Sequence, residues 1–473
     1  NPKCSSVSFC ALGFMIFSQG RCDRVRVTDM THGRPIRLIL LFSLPLMLGS
    51  VFQQLYTIVD TIIIGRGVGM QALASIGAAD WINWLVLWGL QGFTQGFAIL
   101  AAQEFGAGAY DRLRRVLAMI VKLSCWFGIA VTIISLLLVR PLLTLLRTDP
   151  AVFGGAQTYL YVQFGGSLII IAYNMAAAVL RCLGDSRTPL LAILAASFAN
   201  IALDLLFVMG FGWGIFGASF ATVLAQLIAF LLCLRSLRRL PFVQLTKADW
   251  KTDPAILLHP CRLGIPTGLQ MSMITLGGMV LQSVLNGFGV VFVAGYTAAN
   301  KLYGILESAS VAFGYAMTAY MGQNRGARND ARIDAGIRAV LVLSIGFTAA
   351  IVATMLLAGK PLLGLFLSTE EAGAADALAV AHRYLMVLMA FLLALFVLQA
   401  YRSSLQGLGE MTVPTLSGFA EMLMRMGAAL VLPAFIWQSG VFFAEGAAWV
   451  CAAALNLIWY YMRIGKIKRD MLK

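Results

Sequence analysis

A succession of long apolar runs constrains this chain more than any other feature. A helix needs about 20 apolar residues to cross the hydrocarbon of a bilayer. Such runs lie near 36–64, 72–102, 116–139, 152–180, 188–209, 214–235, 262–288, 292–321, 335–358, 378–406, 412–436 and 441–462, bounded by charges, Gly or Pro. They lack the alternation over about ten residues that a membrane barrel requires, so strands do not compete. Composition agrees: 60% of residues are hydrophobic, 12% are charged and the mean hydropathy is +0.84. A water-soluble domain carries about 25% charged residues, so this chain cannot cover its surface with solvated side chains. The reading is an all-α integral membrane protein of twelve transmembrane helices. The eight cysteines show no CxxC spacing, and His32, His259 and His382 fall at span ends or in loops, so neither a disulfide framework nor a metal motif is indicated. No nucleophile–base spacing and no Walker A loop stands out. An enzyme, a bound cofactor and an ATP-driven pump are therefore not expected.

Orientation follows from the basic residues of the short connections. Arg34 and Arg37, Arg112, Arg114 and Arg115, Arg181 and Arg187, and Arg235, Arg238 and Arg239 all fall on one side. Arg325, Arg328 and Arg332, and the tail from Arg463 to Arg469, join them, which makes that side cytoplasmic and puts both termini there, in the cell membrane. The net charge of +14 is then a topology signal with some attraction to anionic lipid, and no nucleic-acid partner is expected. Val7–Phe17 is too short to span, so 1–29 is read as a disordered or artefactual leader. The remainder divides into an N-lobe over 30–235, a cytoplasmic linker over 236–261 and a C-lobe over 262–473. A monomer in the lipid bilayer, with a small-molecule substrate, is expected.

The lobes follow from an internal repeat. Arg140-Pro141-Leu142-Leu143 recurs as Lys360-Pro361-Leu362-Leu363, and Gln103 and Gly106 match Gln323 and Gly326, all 220 residues apart. Pro45 matches Pro266 at 221, and Leu183-Gly184-Asp185 with Pro189 matches Leu408-Gly409-Glu410 with Pro414 at 225. Six spans repeated in the same orientation make parallel repeats about an axis along the membrane normal, with a central cavity near the midplane.

A carboxylate at membrane depth costs at least about 2.5 kcal/mol, so each embedded acid needs a reason. Asp60, Asp80, Asp204, Glu307 and Glu421 are the embedded acids, against Lys301, Arg425 and, near a span end, Lys122. Glu421 and Arg425 stand four apart on one helix face and can neutralise one another. Asn200 and Asp204 share a face without a nearby base, and Gln53, Tyr56, Thr57 and Asp60 form a polar stripe on span 1. If spans 1 and 5 face each other, Asp60, Asp204, Asn200 and Tyr56 converge. Two carboxyls in a low-dielectric pocket repel and titrate as a pair. Such a pocket can take a proton, a Na⁺ held with Asn and Thr oxygens, or an organic cation, and competition among these is a basis for antiport. Pro45 permits a kink in span 1. Glu307 has no base on its own helix face and is either paired from another span or a second cation site.

These residues resemble the multidrug and toxic compound extrusion (MATE) family of cation-coupled exporters. The resemblance rests on Tyr56-x-x-x-Asp60 in LYTIVDTIIIGR with Pro45 upstream, on QEFGAGAYDRLRR after span 2, on LRCLGDSRTP entering span 5 and on ANIALDLLF carrying Asn200 and Asp204. It implies two six-helix lobes and export of bulky, often cationic amphipathic compounds in exchange for H⁺ or Na⁺. It further implies a proton or Na⁺ site at Asp60, Asn200 and Asp204, and polar cavity residues at Asn174 and Thr222, with Thr222 an added Na⁺ ligand. Gln53, Thr57 and Glu307 are further cavity or substrate candidates. Glu307 resembles the branch with an acid in the second lobe. A flippase for a lipid-linked oligosaccharide or other amphipathic lipid, from the same superfamily, is the alternative; its cavity would be expected to carry Arg and Lys.

Overall fold

The computed structural model describes residues 27–366 and 373–472. The leader read at 1–29 lies outside the described residues up to 26; Thr28, by contrast, is tied into the body, its N–H donating to Gly184 O at 3.1 Å. The N-lobe comprises α1 (Pro35–Gly67), α2 (Met70–Gly106), α3 (Tyr110–Leu145), α4 (Pro150–Gly165), α5 (Ser167–Cys182), α6 (Arg187–Asp204) and α7 (Gly214–Arg238). The C-lobe comprises α8 (Pro254–Asn286), α9 (Val290–Gly326), α10 (Asp330–Gly364), α11 (Ala374–Gly407), α12 (Thr412–Ile436) and α13 (Phe443–Leu472).

Span 4 is not the single straight helix that 152–180 suggests. It breaks at Gly165–Gly166 into α4 and α5, bent by 50°. Asp149 caps α4, accepting from Ala151 N–H at 2.8 Å, with Pro150 in the first helical turn. Span 7 starts earlier than 262, at Pro254, because His259-Pro260-Cys261-Arg262 continues the helix toward the basic end rather than ending it. Among the described residues, nine helical stretches are long and apolar enough to cross a bilayer, and the bent α4–α5 pair makes a tenth. One stretch, Thr412–Arg469, holds both α12 and α13 around the turn Trp437–Phe442. The charged α9 stands outside this count yet has 37 residues, and it completes two lobes of six spans each. At 1.5 Å per residue, α2 and α9 run to about 55 Å, well beyond a hydrocarbon core of about 30 Å.

The repeat is visible in the backbone. Left-handed conformations recur at matched loops: Gly69 (φ 107°) with Gly289 (φ 89°), Gly108 (φ 67°) with Arg328 (φ 55°), and Gly184 (φ 92°) with Gly409 (φ 72°). Cross-lobe hydrogen bonds follow the same symmetry, with Gln103 Nε2 donating to Gly407 O and Gln323 Nε2 to Cys182 O, each at 3.0 Å.

The lobes meet chiefly where α2 lies along α8, with α1 and α2 also reaching α9. A Cβ on Gly96 would stand 2.5 Å from Gly264 Cα and 2.7 Å from Leu263 O, so only glycine permits this approach. Toward the basic end, a Cβ on Gly106 would stand 1.9 Å from Gln323 O, and one on Gly326 would stand 1.8 Å from Gln103 O. Small residues let membrane helices close to backbone contact, where dispersion rather than water exclusion holds them.

Candidate cation site and its relatives

Helix α1 packs on α6 and brings the span 1 stripe against Asn200 and Asp204. Asp204 is fully buried and Asn200 is 1% exposed, whereas Asp60 and Tyr56 are half-buried. The carboxyls of Asp60 and Asp204 lie within interaction range of each other, and Tyr56 faces both. Asp60 Oδ1, both carboxyl oxygens of Asp204 and both amide atoms of Asn200 have no protein hydrogen-bond partner among the described residues. Neither acid takes part in an ion pair there. Directly after Asp204 the helix widens into a π-turn, Leu205–Gly210, a distortion that often marks a functional position. Hard oxygen donors of this kind suit a proton shared between the acids or a Na⁺. No group of three or more His, Cys, Asp and Glu able to hold a metal ion occurs among the described residues.

Asp80 enters the same neighbourhood. From α2 it interacts with Asp60, and Tyr159 of α4 faces both acids while its hydroxyl accepts from Asn83 Nδ2 at 3.3 Å. Its place in the first third of a long apolar run masked this, because sequence spacing does not show which face of α2 meets α1.

Three other candidates bond to the backbone of their own helices. Asn174 donates to Ile170 O at 2.9 Å, Thr222 to Ala218 O at 3.2 Å and Thr57 to Gln53 O at 2.9 Å, each within its own helix. Gln53 and Thr57 are exposed, and it is Gln54 whose amide nitrogen approaches Gly304 of α9. Pro45 leaves Leu41 O without its helical donor, but α1 continues through it unbroken.

The C-lobe holds a compensated network. Glu421 accepts from Arg402 Nη2 at 2.5 Å and from Arg425 Nη2 at 3.2 Å, and Glu445 accepts from Arg425 Nη2 at 2.7 Å. Arg425 Nη1 also donates to Ile274 O at 2.9 Å, which ties α12 to α8. Glu307 faces Tyr303, with Arg425 of α12 and Glu445 of α13 close by, and it forms no ion pair among the described residues. The sequence reading missed Glu445 and Arg402 because each lies near a span end, where a charge ordinarily reaches water.

The MatE family model matches twice, over residues 45–206 and 266–431, so its two segments start at Pro45 and Pro266, as the repeat does. A probable multidrug resistance protein of Bacillus subtilis, YpnP, is 31% identical over 452 residues, covering 94% of this chain and 98% of its own. The probable multidrug resistance protein NorM of Thermotoga maritima is 26% identical over 338 residues, covering 70% and 72%. Among solved structures, a MOP superfamily transporter from Pyrococcus furiosus superposes with a TM-score of 0.86 at 25% identity, covering 93% of this chain and 98% of that one. An outward-facing MATE transporter, at 24% identity and a TM-score of 0.86, shares the fold. With a duplicated family match, twelve spans in two lobes and a full-length relative, the chain belongs to the MATE family of multi-pass membrane transporters and is not an enzyme.

Proposed function

We propose that this chain is a secondary active antiporter that exports bulky, often cationic amphipathic compounds in exchange for H⁺ or Na⁺ by alternating access of its two lobes. It works as a monomer in the cell membrane, with the basic end and both termini cytoplasmic. The lobes are 30–235 and 262–473, joined through 236–261. The observation that carries the reading is the meeting of Asp60 and Asp204 beside Asn200, with no base and no protein hydrogen-bond partner for most of their polar atoms. Two adjoining acids at membrane depth cannot both stay charged alone, so the site takes a proton, a Na⁺ or a cationic cargo. Occupancy by one disfavours the others, and that exclusion couples inward ion flow to outward cargo flow. Tyr56, with Asn174 and Thr222 on nearby helices, supplies further polar atoms for the ion or the cargo, and Gln53, Thr57 and Glu307 line the route.

One pH unit supplies about 1.4 kcal/mol per proton. A potential of 100 mV supplies about 2.3 kcal/mol per net charge moved. One H⁺ exchanged for one monocation draws on the first term alone. The test is cationic-dye transport in everted vesicles under separately imposed H⁺ and Na⁺ gradients. Asp60→Asn and Asp204→Asn are each expected to abolish gradient-driven transport while the protein stays folded in the membrane. Wild-type transport rates in both variants would reject the site.

A further inference from the structure

The segment leading into the first helix of each lobe is lashed to the other lobe. Ahead of α1, Met30 N–H donates to Gln323 Oε1 at 2.8 Å, and Met30 O accepts from Asn324 Nδ2 at 3.2 Å and from Arg332 Nη2 at 2.9 Å. Arg332 Nη1 donates to Gly33 O at 2.9 Å, and its Nε donates to Asn324 Oδ1 at 3.0 Å. Gln323 and Asn324 end α9 and Arg332 begins α10, so every one of these partners belongs to the C-lobe. The Met30 side chain is fully buried in the C-lobe core. The same segment keeps its hold on the N-lobe through Thr28 N–H and Gly184 O.

The reciprocal arrangement stands ahead of α8. Lys122 of α3 donates from Nζ to Trp250 O at 2.6 Å and to Thr252 Oγ1 at 2.8 Å. Arg114 Nε of α3 stands 3.8 Å from Asp249 Oδ2. Helices α3 and α10 are repeat mates, and the two lead-in segments precede repeat mates α1 and α8. Each lobe thus holds, with its third span, the strand that starts the other lobe.

We propose that 28–33 and 249–252 are reciprocal straps that close the basic end, and that opening the cavity to that side requires Arg332 and Lys122 to release them. The proposal rests on the two-lobe antiporter reading and names its gate. The acceptors are mostly backbone carbonyls on one lobe and the donors are side chains on the other. Divergence of the lobes by about 1 Å at this end would stretch these bonds past hydrogen-bond range. The Arg332 guanidinium spans two carbonyls of the strap at once, a geometry that a lysine cannot reproduce.

The experiment measures distance rather than transport. Spin labels at Arg187, the exposed first residue of α6, and at Ala327, exposed in the turn after α9, are introduced into the full chain after replacement of its native cysteines. The unmodified straps are expected to give one narrow, short distance distribution. Arg332→Ala and Lys122→Met should each add a longer component, and the double variant should raise the ratio of long to short at least tenfold. Should Arg332→Ala fail to fold, Arg332→Lys keeps the charge without the fork and should widen the distribution as well. Distributions that superimpose on the parent in all these variants overturn the straps. Widened distances alongside absent dye transport in the parent would sustain the straps and count against the exporter reading alone.

Discussion

Asp60 and Arg402 show how differently one chain treats charge at membrane depth. In the N-lobe the acids are left without bases, which suits a site that must change occupant. In the C-lobe two acids are answered: Glu421 by Arg402 and Arg425, and Glu445 by Arg425. Removing one partner of a buried ion pair leaves the other charge uncompensated and costs about 3–5 kcal/mol. Arg402→Met is therefore expected to lower thermal stability strongly in detergent. The double variant Arg402→Met/Glu421→Gln should recover part of the loss, because Glu445 then keeps Arg425 to itself and no surplus carboxylate remains. A double variant no more stable than the single one would show that Arg402 acts through packing instead. The acid pair was legible from the chain because polar residues spaced four apart on an apolar run have no water to face and turn toward one another. The network's outer members were not, because a charge near a span end has water as its default partner, and only the approach of α11 and α13 to α12 shows otherwise.

At the scale of elements, the lead-in to α8 carries its own electrostatic fastening. Asp249 accepts from the Thr246 N–H and hydroxyl, both at 2.7 Å, in a capping box. Burial favours its protonated form, but these hydrogen bonds and the nearby Arg114 and Arg115 hold it below the ordinary carboxylate range. A depressed value in the folded state means stabilisation that is complete above the unfolded value and disappears as pH falls through the folded one. Asp249→Asn should therefore weaken protection of 246–250 against hydrogen exchange by about 0.5–2 kcal/mol, uniformly from pH 5 to 8. As pH falls from about 3.9 through the depressed folded value the parent should converge on the variant; a gap that persists below the folded value would place the contribution elsewhere than in the carboxylate. Element content was mostly readable, since twelve apolar runs became twelve spans. The exceptions have local causes: two adjacent glycines break span 4, and hydropathy averages over such a break because every residue around it is apolar. The π-turn after Asp204 was also invisible, since no Pro or Gly interrupts ANIALDLLF.

At the scale of the molecule, duplication was legible from four matched segments, and the close packing of the halves was not. Sequence offsets relate Gly96 to no particular partner; only the fold shows Gly264 beneath it. Gly96→Val is expected to destabilise the protein by about 1–3 kcal/mol through overpacking, with the thermal midpoint in detergent as the check. An unshifted midpoint would mean that α2 and α8 separate freely.

The contact of α2 with α8 has a mechanical corollary. Backbones that touch through hydrogen-sized side chains leave no slack for sliding, yet they present no bulky knob to resist rotation. In the exchange cycle proposed above this seam is the natural fulcrum, so that aperture gained at one face would be surrendered at the other.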